Sequence, residues 1–439
     1  MALQPAPAAK AHATNTSTHA LFPAGQLVPF ILVTFLFFLW GIPNSMNDVL
    51  IRQFMKSFEL SRLQAGLVQS AFYMGYFTLA IPAALLMKRL GYKAGFITGL
   101  LLLSSGAFLF WPAAIAGRFG FFLIALFVMA SGLSFLETAS NPFIAQLGDP
   151  VSSERRLNFS QAFNPIGNIT AALVGTVFIL SGVELSKADI AARITNRTYQ
   201  AYLQFETLRV IRPYLVIAAV AFVWAILIWR TKFPQIKSEV EDGGERGKFS
   251  ELLRERHFVL AVIAQFFYVG AQVCTWSYLI SYAQEYGHLA EKEAGLLLTG
   301  NFAMFGIGRF ASAYVMGYFS PAKLMGVYGV INMVLLSVAI MHPSPAGMWC
   351  VFLTSLFMSV MFPTIFALGL KGLGPNTKIG GSLLVMAIVG GAVLTPIMGL
   401  IAERAHSLAV GYSVPLVAYI CIALYSFLGS SPRRREVTL

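Results

Sequence analysis

Of the 19 acidic side chains in this sequence, seventeen fall in connections, tails or the ends of apolar runs, and two, Asp48 and Glu137, fall inside such runs. An ionised carboxyl at bilayer depth costs at least ~2.5–3.5 kcal/mol, so one that is kept there has a task. A carboxyl in a low-dielectric cavity takes up a proton more readily than one in water. It can therefore load a proton and release it as water is excluded or admitted. Glu137 is expected to be the main proton site. Asp48 is either a second titrating group or an acceptor for ligand hydroxyls. The alternative for both is structural: a buried carboxyl tying helices together through Arg309 or through amides.

The company of these carboxyls is neutral and polar. Asn44, Ser45 and Asp48 stand at i, i+1 and i+4, with Asn47 adjacent and Pro43 just before them. A proline inside a helix frees backbone carbonyls that then need partners. Glu137 and Asn141 are at i and i+4, and Pro142 follows. A third run carries Asn158, Gln161, Asn164 and Asn168, and a later one carries Gln265, Tyr268, Gln272 and Trp276. Spacings of three and four align such residues on one helix face. Amides and hydroxyls both donate and accept, and an aromatic ring covers the apolar side of a sugar. The expected ligand set is Asn44, Ser45, Asn47, Asn141, Gln161, Asn164, Tyr268, Gln272 and Trp276, and the expected ligand is a neutral monosaccharide. Arg309 is the one cation expected at bilayer depth, which weighs against an anionic ligand; it reads as a structural or gating residue.

The elements that must position these groups are membrane-spanning helices. Nine windows hold no Lys, Arg, Asp, Glu or His: 63–87, 94–114, 157–183, 213–229, 258–284, 324–341, 343–370, 379–402 and 407–432. Three more, 27–56, 119–148 and 294–322, are broken by Asp48, Glu137 and Arg309, and the first also carries Arg52 and Lys56 near its end. Each is at or near the ~17–25 residues that cross a bilayer as a helix, and the runs are continuous rather than alternating, which excludes a barrel. The count is twelve. Placing both termini inside assigns 19 of the 31 Lys and Arg to inner segments and 11 to outer ones, five of those in a long 182–212 connection. That bias expects both ends in the cytoplasm. The charged stretch 231–256 separates six spans from six, and Ala65-Gly66-Leu67 is echoed by Ala294-Gly295-Leu296. The expected layout is a 1–26 disordered cytoplasmic tail, a 27–230 half, a 231–256 cytoplasmic linker, a 257–430 half and a 431–439 tail. Such halves place a substrate site at the midplane between them.

Composition removes the other classes. Hydrophobic residues make up 57% of the chain and charged residues 11%, too few to coat soluble domains. The net charge of +12 is spread over the connections as expected for a membrane protein, so no nucleic-acid partner is expected. Cys274, Cys350 and Cys421 are dispersed in apolar runs and offer neither a disulfide framework nor a metal site. No nucleophile–base or metal cluster marks an enzyme, and no cofactor is expected beyond a proton as coupling ion. The expected partners are the sugar and the lipid bilayer, with the chain a monomer.

Several segments carry a family resemblance. FFLWGIPNSMNDVLIRQF (37–54), QAGLVQSAFYMGYF (64–77), LMKRLGYKAGFITGL (86–100) and SGLSFLETASNPF (131–143) are similar to the fucose–galactose–glucose:proton symporter family of the major facilitator superfamily. So are LNFSQAFNPIG (157–167), FFYVGAQVCTWSYLI (266–280), MFPTIFALGLKGLG (361–374) and VGGAVLTPIMG (389–399), and the likeness spans nearly everything from 27 to 430. The resemblance implies the major facilitator fold and sugar:proton symport by alternating access. It implies that Asp48, in the ND motif, and Glu137, in the LETA motif, couple protons to sugar, and that Gln161 contacts the sugar. Ser45 and Pro43 depart from the fucose-carrying branch, which has a second Asn in place of Ser45. That leaves L-fucose, galactose and glucose all open as substrates. A uniporter, a carrier of another neutral solute and a non-transporting sugar sensor are the rival readings. The expected location is the cytoplasmic (inner) membrane.

Overall fold

The computed structural model describes residues 25–148, 153–234, 252–316, 318–373 and 376–430. The expected tails lie outside them almost entirely, as does most of the expected linker. In hydrocarbon a backbone N–H or C=O finds no water, so an apolar run satisfies its own groups by coiling into a helix. Among the described residues, eleven helices are long and apolar enough to cross a membrane: α1 Leu27–Ser57, α2 Arg62–Met87, α3 Arg89–Ala116, α4 Phe119–Gln146, α5 Phe159–Ile179, α6 Tyr199–Arg230, α7 Arg256–Gly287, α9 Pro321–Met341, α10 Pro345–Leu370, α11 Gly380–Arg404 and α12 Leu408–Gly429. The twelfth, α8 Glu291–Val315, is more polar, carrying Asn301 and Arg309 inside the span. The protein is thus an all-α multi-pass membrane protein of twelve helices in two halves of six.

Local chemistry sets the ends. Ser61 caps α2 and exchanges bonds with Gln64, and Pro321 and Pro345 open α9 and α10 where no N–H is needed. Gly91 at φ 79° turns the chain from α2 into α3, a conformation that suits glycine. The 182–212 connection differs from the expected loop. Lys187–Thr195 is a capped amphipathic helix, and Tyr199–Leu208 is helical and runs on into the α6 span. Charge alone ended the expected span at residue 213, but a charged segment at the water interface is free to remain helical.

Alternating crossings put Leu27, Arg230, Arg256 and Gly429 on one face, here the linker face, and the 57–62, 180–198, 287–291 and 404–408 turns on the far face. Lys93 confirms the register, donating to the carbonyls of Trp229 and Thr231 at the end of α6. Within each half, glycines permit close crossings: a Cβ on Gly132 of α4 would stand 2.4 Å from the Gly99 carbonyl oxygen, and one on Gly390 would stand 1.9 Å from that of Phe266.

Between the halves the packing pairs are α1 with α7, α2 with α11, and α5 with α8. The second pair has the shape of open scissors. Toward the far face, Ser70 Oγ donates to the Ala392 carbonyl at 2.6 Å, a Cβ on Gly66 would meet the Pro396 backbone at 2.8 Å, and one on Gly399 would meet Arg62. Toward the linker face the helices part, and Ala80, Ala84, Gly381 and Val385 face one cavity. The structure is closed at the far face and open at the linker face.

Gly132→Val and Gly390→Val are each expected to lower thermal stability in detergent, by ~1–3 kcal/mol or more through overpacking. Gly120→Val, whose Cβ would meet nothing within 4 Å, is the control expected to leave the melting temperature unchanged. Equal melting temperatures for all three would remove the close crossings as a determinant of the fold.

Candidate functional site

The two carboxyls occupy different environments. Asp48 is sealed: its Oδ1 accepts from Gln69 Nε2 of α2 at 2.9 Å and from Ser277 Oγ of α7 at 2.9 Å. Gln69 Nε2 also donates to Ser277 Oγ at 2.9 Å, closing a three-residue ring across the two halves. Glu137 is half-buried and lines the linker-face cavity of about 460 Å³, with Tyr76, Ser134, Thr138 and Asn141 on one wall and Phe366, Ser382 and Met386 on the other. That volume is within the range of small-molecule sites. Tyr73 is within electrostatic reach of both carboxyls and of Tyr268, and its ring lies against Gly391 of α11. The two acids are therefore joined through α2, but only Glu137 reaches a cavity while Asp48 is sealed.

The polar residues singled out from the sequence divide into three groups. Asn141 and Gln161 form a chain that ends on the Glu137 backbone: Gln161 Nε2 donates to Asn141 Oδ1, and Asn141 Nδ2 to the Glu137 main-chain carbonyl, both at 3.2 Å. Asn164 donates to the Phe37 carbonyl, holding α5 to α1, and accepts from Asn168 of its own helix. On α1, Asn44 is half-buried four residues before Asp48, about 6 Å along the axis. Ser45 and Asn47 are buried, and both amide atoms of Asn47 lack a protein partner among the described residues.

The α7 set does not line the cavity in this state. Trp276 Nε1 donates to Ser355 Oγ, which donates in turn to Asn301 Oδ1, and the indole packs edge-on against Phe302 and Phe305. Tyr268 is buried against Phe362 with its hydroxyl unpartnered among the described residues, and Gln272 is half-buried. Gln265, one turn before Tyr268, is fully buried with both amide atoms equally unpartnered. Helical spacing placed these residues on one face, but which bundle that face meets depends on how the halves tilt.

Arg309 partners neither carboxyl. It donates to the Ser359 carbonyl and lies 5.1 Å over the Phe305 ring, a structural placement. It is also not the only buried cation: Arg156 is fully buried, bonding the Ile144 and Ala145 carbonyls at the end of α4. Likewise Glu206 and Glu291 are fully buried although they stand at helix ends. Charge within an apolar run signals a buried ion, but a helix end packed under a neighbouring loop leaves no such mark.

Those two acids build the far-face closure. Lys56 Nζ lies 3.3 Å from Glu206 of its own half and 3.0 Å from Glu291 of the other, and donates to Ser181 Oγ at 2.7 Å. Arg52 pairs with Glu184 at 3.0 Å and lies 3.9 Å from Glu291. Arg62 pairs with Glu285, and the Leu63 N–H donates to Glu403 at 2.6 Å. The buried part of the network holds two cations and two anions, so the charges cancel where water is excluded. Gln69, Ser277, Tyr73 and this network escaped the sequence reading. Gln69 did carry a signal, as an amide within a charge-free window.

Comparison with known proteins gives a consistent answer. The sequence pattern of the Major Facilitator Superfamily matches residues 30–378. The chain is 42% identical over 412 residues to the L-fucose-proton symporter of Escherichia coli (strain K12), covering 92% of this chain and 94% of that one. It is 34% identical over 421 residues to a glucose/galactose transporter of Brucella abortus biovar 1 (strain 9-941), covering 95% and 98%. A crystal structure of the transporter FucP in the outward conformation, 42% identical, aligns with a TM-score of 0.67 over 91% of this chain and 97% of that one. The inward open xylose transporter XylE from E. coli aligns with a TM-score of 0.71 over 93% and 97%; at 12% identity that is a likeness of fold alone.

Glu291→Gln removes one anion from the buried network and leaves Lys56 half-compensated, a change of about 3 kcal/mol against closure. In a chain with its three cysteines replaced by alanine and Ser281→Cys as reporter, a membrane-impermeant thiol reagent applied from the far face is expected to react over 10-fold faster when Glu291→Gln is added. An unchanged rate would show that these ion pairs do not hold the face shut.

Proposed function

The chain belongs to the Major Facilitator Superfamily, and on that premise we propose that it is a proton-coupled symporter that imports a neutral monosaccharide, L-fucose or a related hexose such as galactose or glucose. The observation that carries this reading is the cavity itself. A carboxyl, Glu137, stands with the neutral polar groups of Tyr76, Ser134, Thr138, Asn141 and Ser382 in an otherwise apolar lining that holds no cation. Such a wall bonds sugar hydroxyls and gives an anion no counter-charge.

The linker face, where α1 begins and α12 ends, is the cytoplasmic one, since it carries the larger share of Lys and Arg. The membrane is the cytoplasmic (inner) membrane, and the working unit is a monomer. The two halves, 27–230 and 257–430, are the rocking units. With the far face open, water reaches Asp48 and Glu137, a proton loads, and Asn44, Asn47, Asn141 and Gln161 bond the sugar while Tyr268, Gln272 and Trp276 meet it from the other half. Closing the far face brings Lys56 to Glu291 and seals Asp48 under Ser277. The scissor of α2 and α11 then opens Glu137 to cytoplasmic water, and sugar and proton leave inward. Glu137 holds the proton; Asp48 senses closure because its partners come from both halves. Ligand affinity need differ between the two states only by the energy the proton gradient supplies.

In proteoliposomes without an imposed gradient, adding L-fucose, D-galactose and D-glucose separately should alkalinise the medium with at least one of them. Glu137→Gln should abolish that proton movement and lower sugar accumulation at least 10-fold. Sugar flux without proton movement in the unmodified protein would establish a uniporter, and binding without flux a sensor.

A further inference from the structure

The bond from Ser277 to Asp48 joins the two halves at a carboxyl in a structure whose far face is closed. Ser277 is fully enclosed on α7, Asp48 on α1 and Gln69 on α2, each at most 3% exposed. The serine hydroxyl has one proton to give. The structure directs it to Asp48 Oδ1 and leaves the serine oxygen to accept from Gln69. The two protons of the Gln69 amide are spent on Asp48 and Ser277, and its Oε1 is buried without a partner among the described residues. This donor set meets the needs of an acceptor-only carboxylate. Rotated by half a turn, the same amide presents an acceptor to a protonated carboxyl. Amide orientation follows the hydrogen-bond network, so a glutamine can serve either form of its neighbour.

We propose that Gln69 and Ser277 are positioning residues of the symport cycle: Ser277 latches the α1 carboxyl to the opposite half on far-face closure, and Gln69 solvates that carboxyl in both of its protonation states. This inference deepens the symport reading and rests on it for the cycle, but the latch itself is a property of the closed state. Few other ionisable groups face Asp48. From α2 it is Tyr73, within electrostatic reach. From α7, Cys274 turns its thiol to Thr395. Arg52, one turn further along α1, is engaged by Glu184 and Glu291. The carboxyl therefore depends on the serine and the amide rather than on a counter-ion.

The test reads closure and transport separately. In the cysteine-replaced chain with Ser281→Cys as reporter, Ser277→Ala should raise far-face thiol reactivity about tenfold, the effect of losing one hydrogen bond to a charged acceptor. Ser277→Thr, which keeps the hydroxyl, should restore the unmodified rate. Gln69→Leu should act in the same direction as Ser277→Ala. In an Asp48→Asn background, adding Ser277→Ala should change reactivity less than twofold, because the two residues act as one unit. In proteoliposomes given L-fucose or D-galactose, Ser277→Ala should lower the maximal rate of proton-driven uptake about tenfold, with the half-saturating sugar concentration within twofold. Unchanged reactivity in Ser277→Ala, equal effects of Ala and Thr, or full additivity with Asp48→Asn would overturn the latch. If the reactivity changes appear but neither sugar moves with protons in the unmodified protein, the latch stands and the symport reading falls.

Discussion

A carboxyl taken to bilayer depth must be solvated by protein, and Asp48 is solvated by both halves of this molecule at once. That circumstance ties the other features together. One donor to its Oδ1 comes from α2 and one from α7, in the arrangement that brings α1 and α7 together at the far face. Opening there exchanges a serine hydroxyl for water. The cost of burying the group is thereby made conditional on the shape of the whole transporter, which is what coupling an ion to a conformational change requires.

The far-face ion pairs follow the same logic at larger scale. Lys56 is held between an acid of its own half and an acid of the other. When the face opens it retains Glu206, so no bare cation is left behind, while Glu291 is returned to water. Breaking the closed state therefore costs less than breaking an isolated buried pair. The two faces of the protein differ in kind: the far face is closed by charge and by the backbone contacts of Gly66 and Gly399, whereas the linker face parts along the smooth alanine and glycine surfaces of α2 and α11. Glu137 lines that parting, and Asp48 lies sealed beyond it.

Much of this was legible in the primary structure. The cost of charge in hydrocarbon singled out Asp48 and Glu137 without reference to any fold, and nine charge-free runs with three charge-poor ones marked where twelve helices would lie. Helical spacing put Asn141 with Glu137, and the structure adds Gln161 of the next helix to that pair. The same spacing could not say that Trp276 would turn into its own half to meet Ser355, since a helix face has no memory of which neighbour it will pack against. Nor could it find Glu206, Glu291 or Arg156, whose burial depends on loops and helix ends folding over them.

What the sequence determined by itself is therefore what depends on single residues and their near neighbours along the chain: the crossing of the membrane, the helical state, the orientation bias and the identity of the two intramembrane acids. These follow from transfer energies, which are local and additive along a helix. Tertiary structure alone decided which face is shut, which acid is sealed, and that a glutamine and a serine from different halves close over Asp48. Those are properties of distances between residues such as Asp48 and Ser277, 229 positions apart, and contacts at that separation are set by how two packed bundles tilt, not by any pattern a single helix carries.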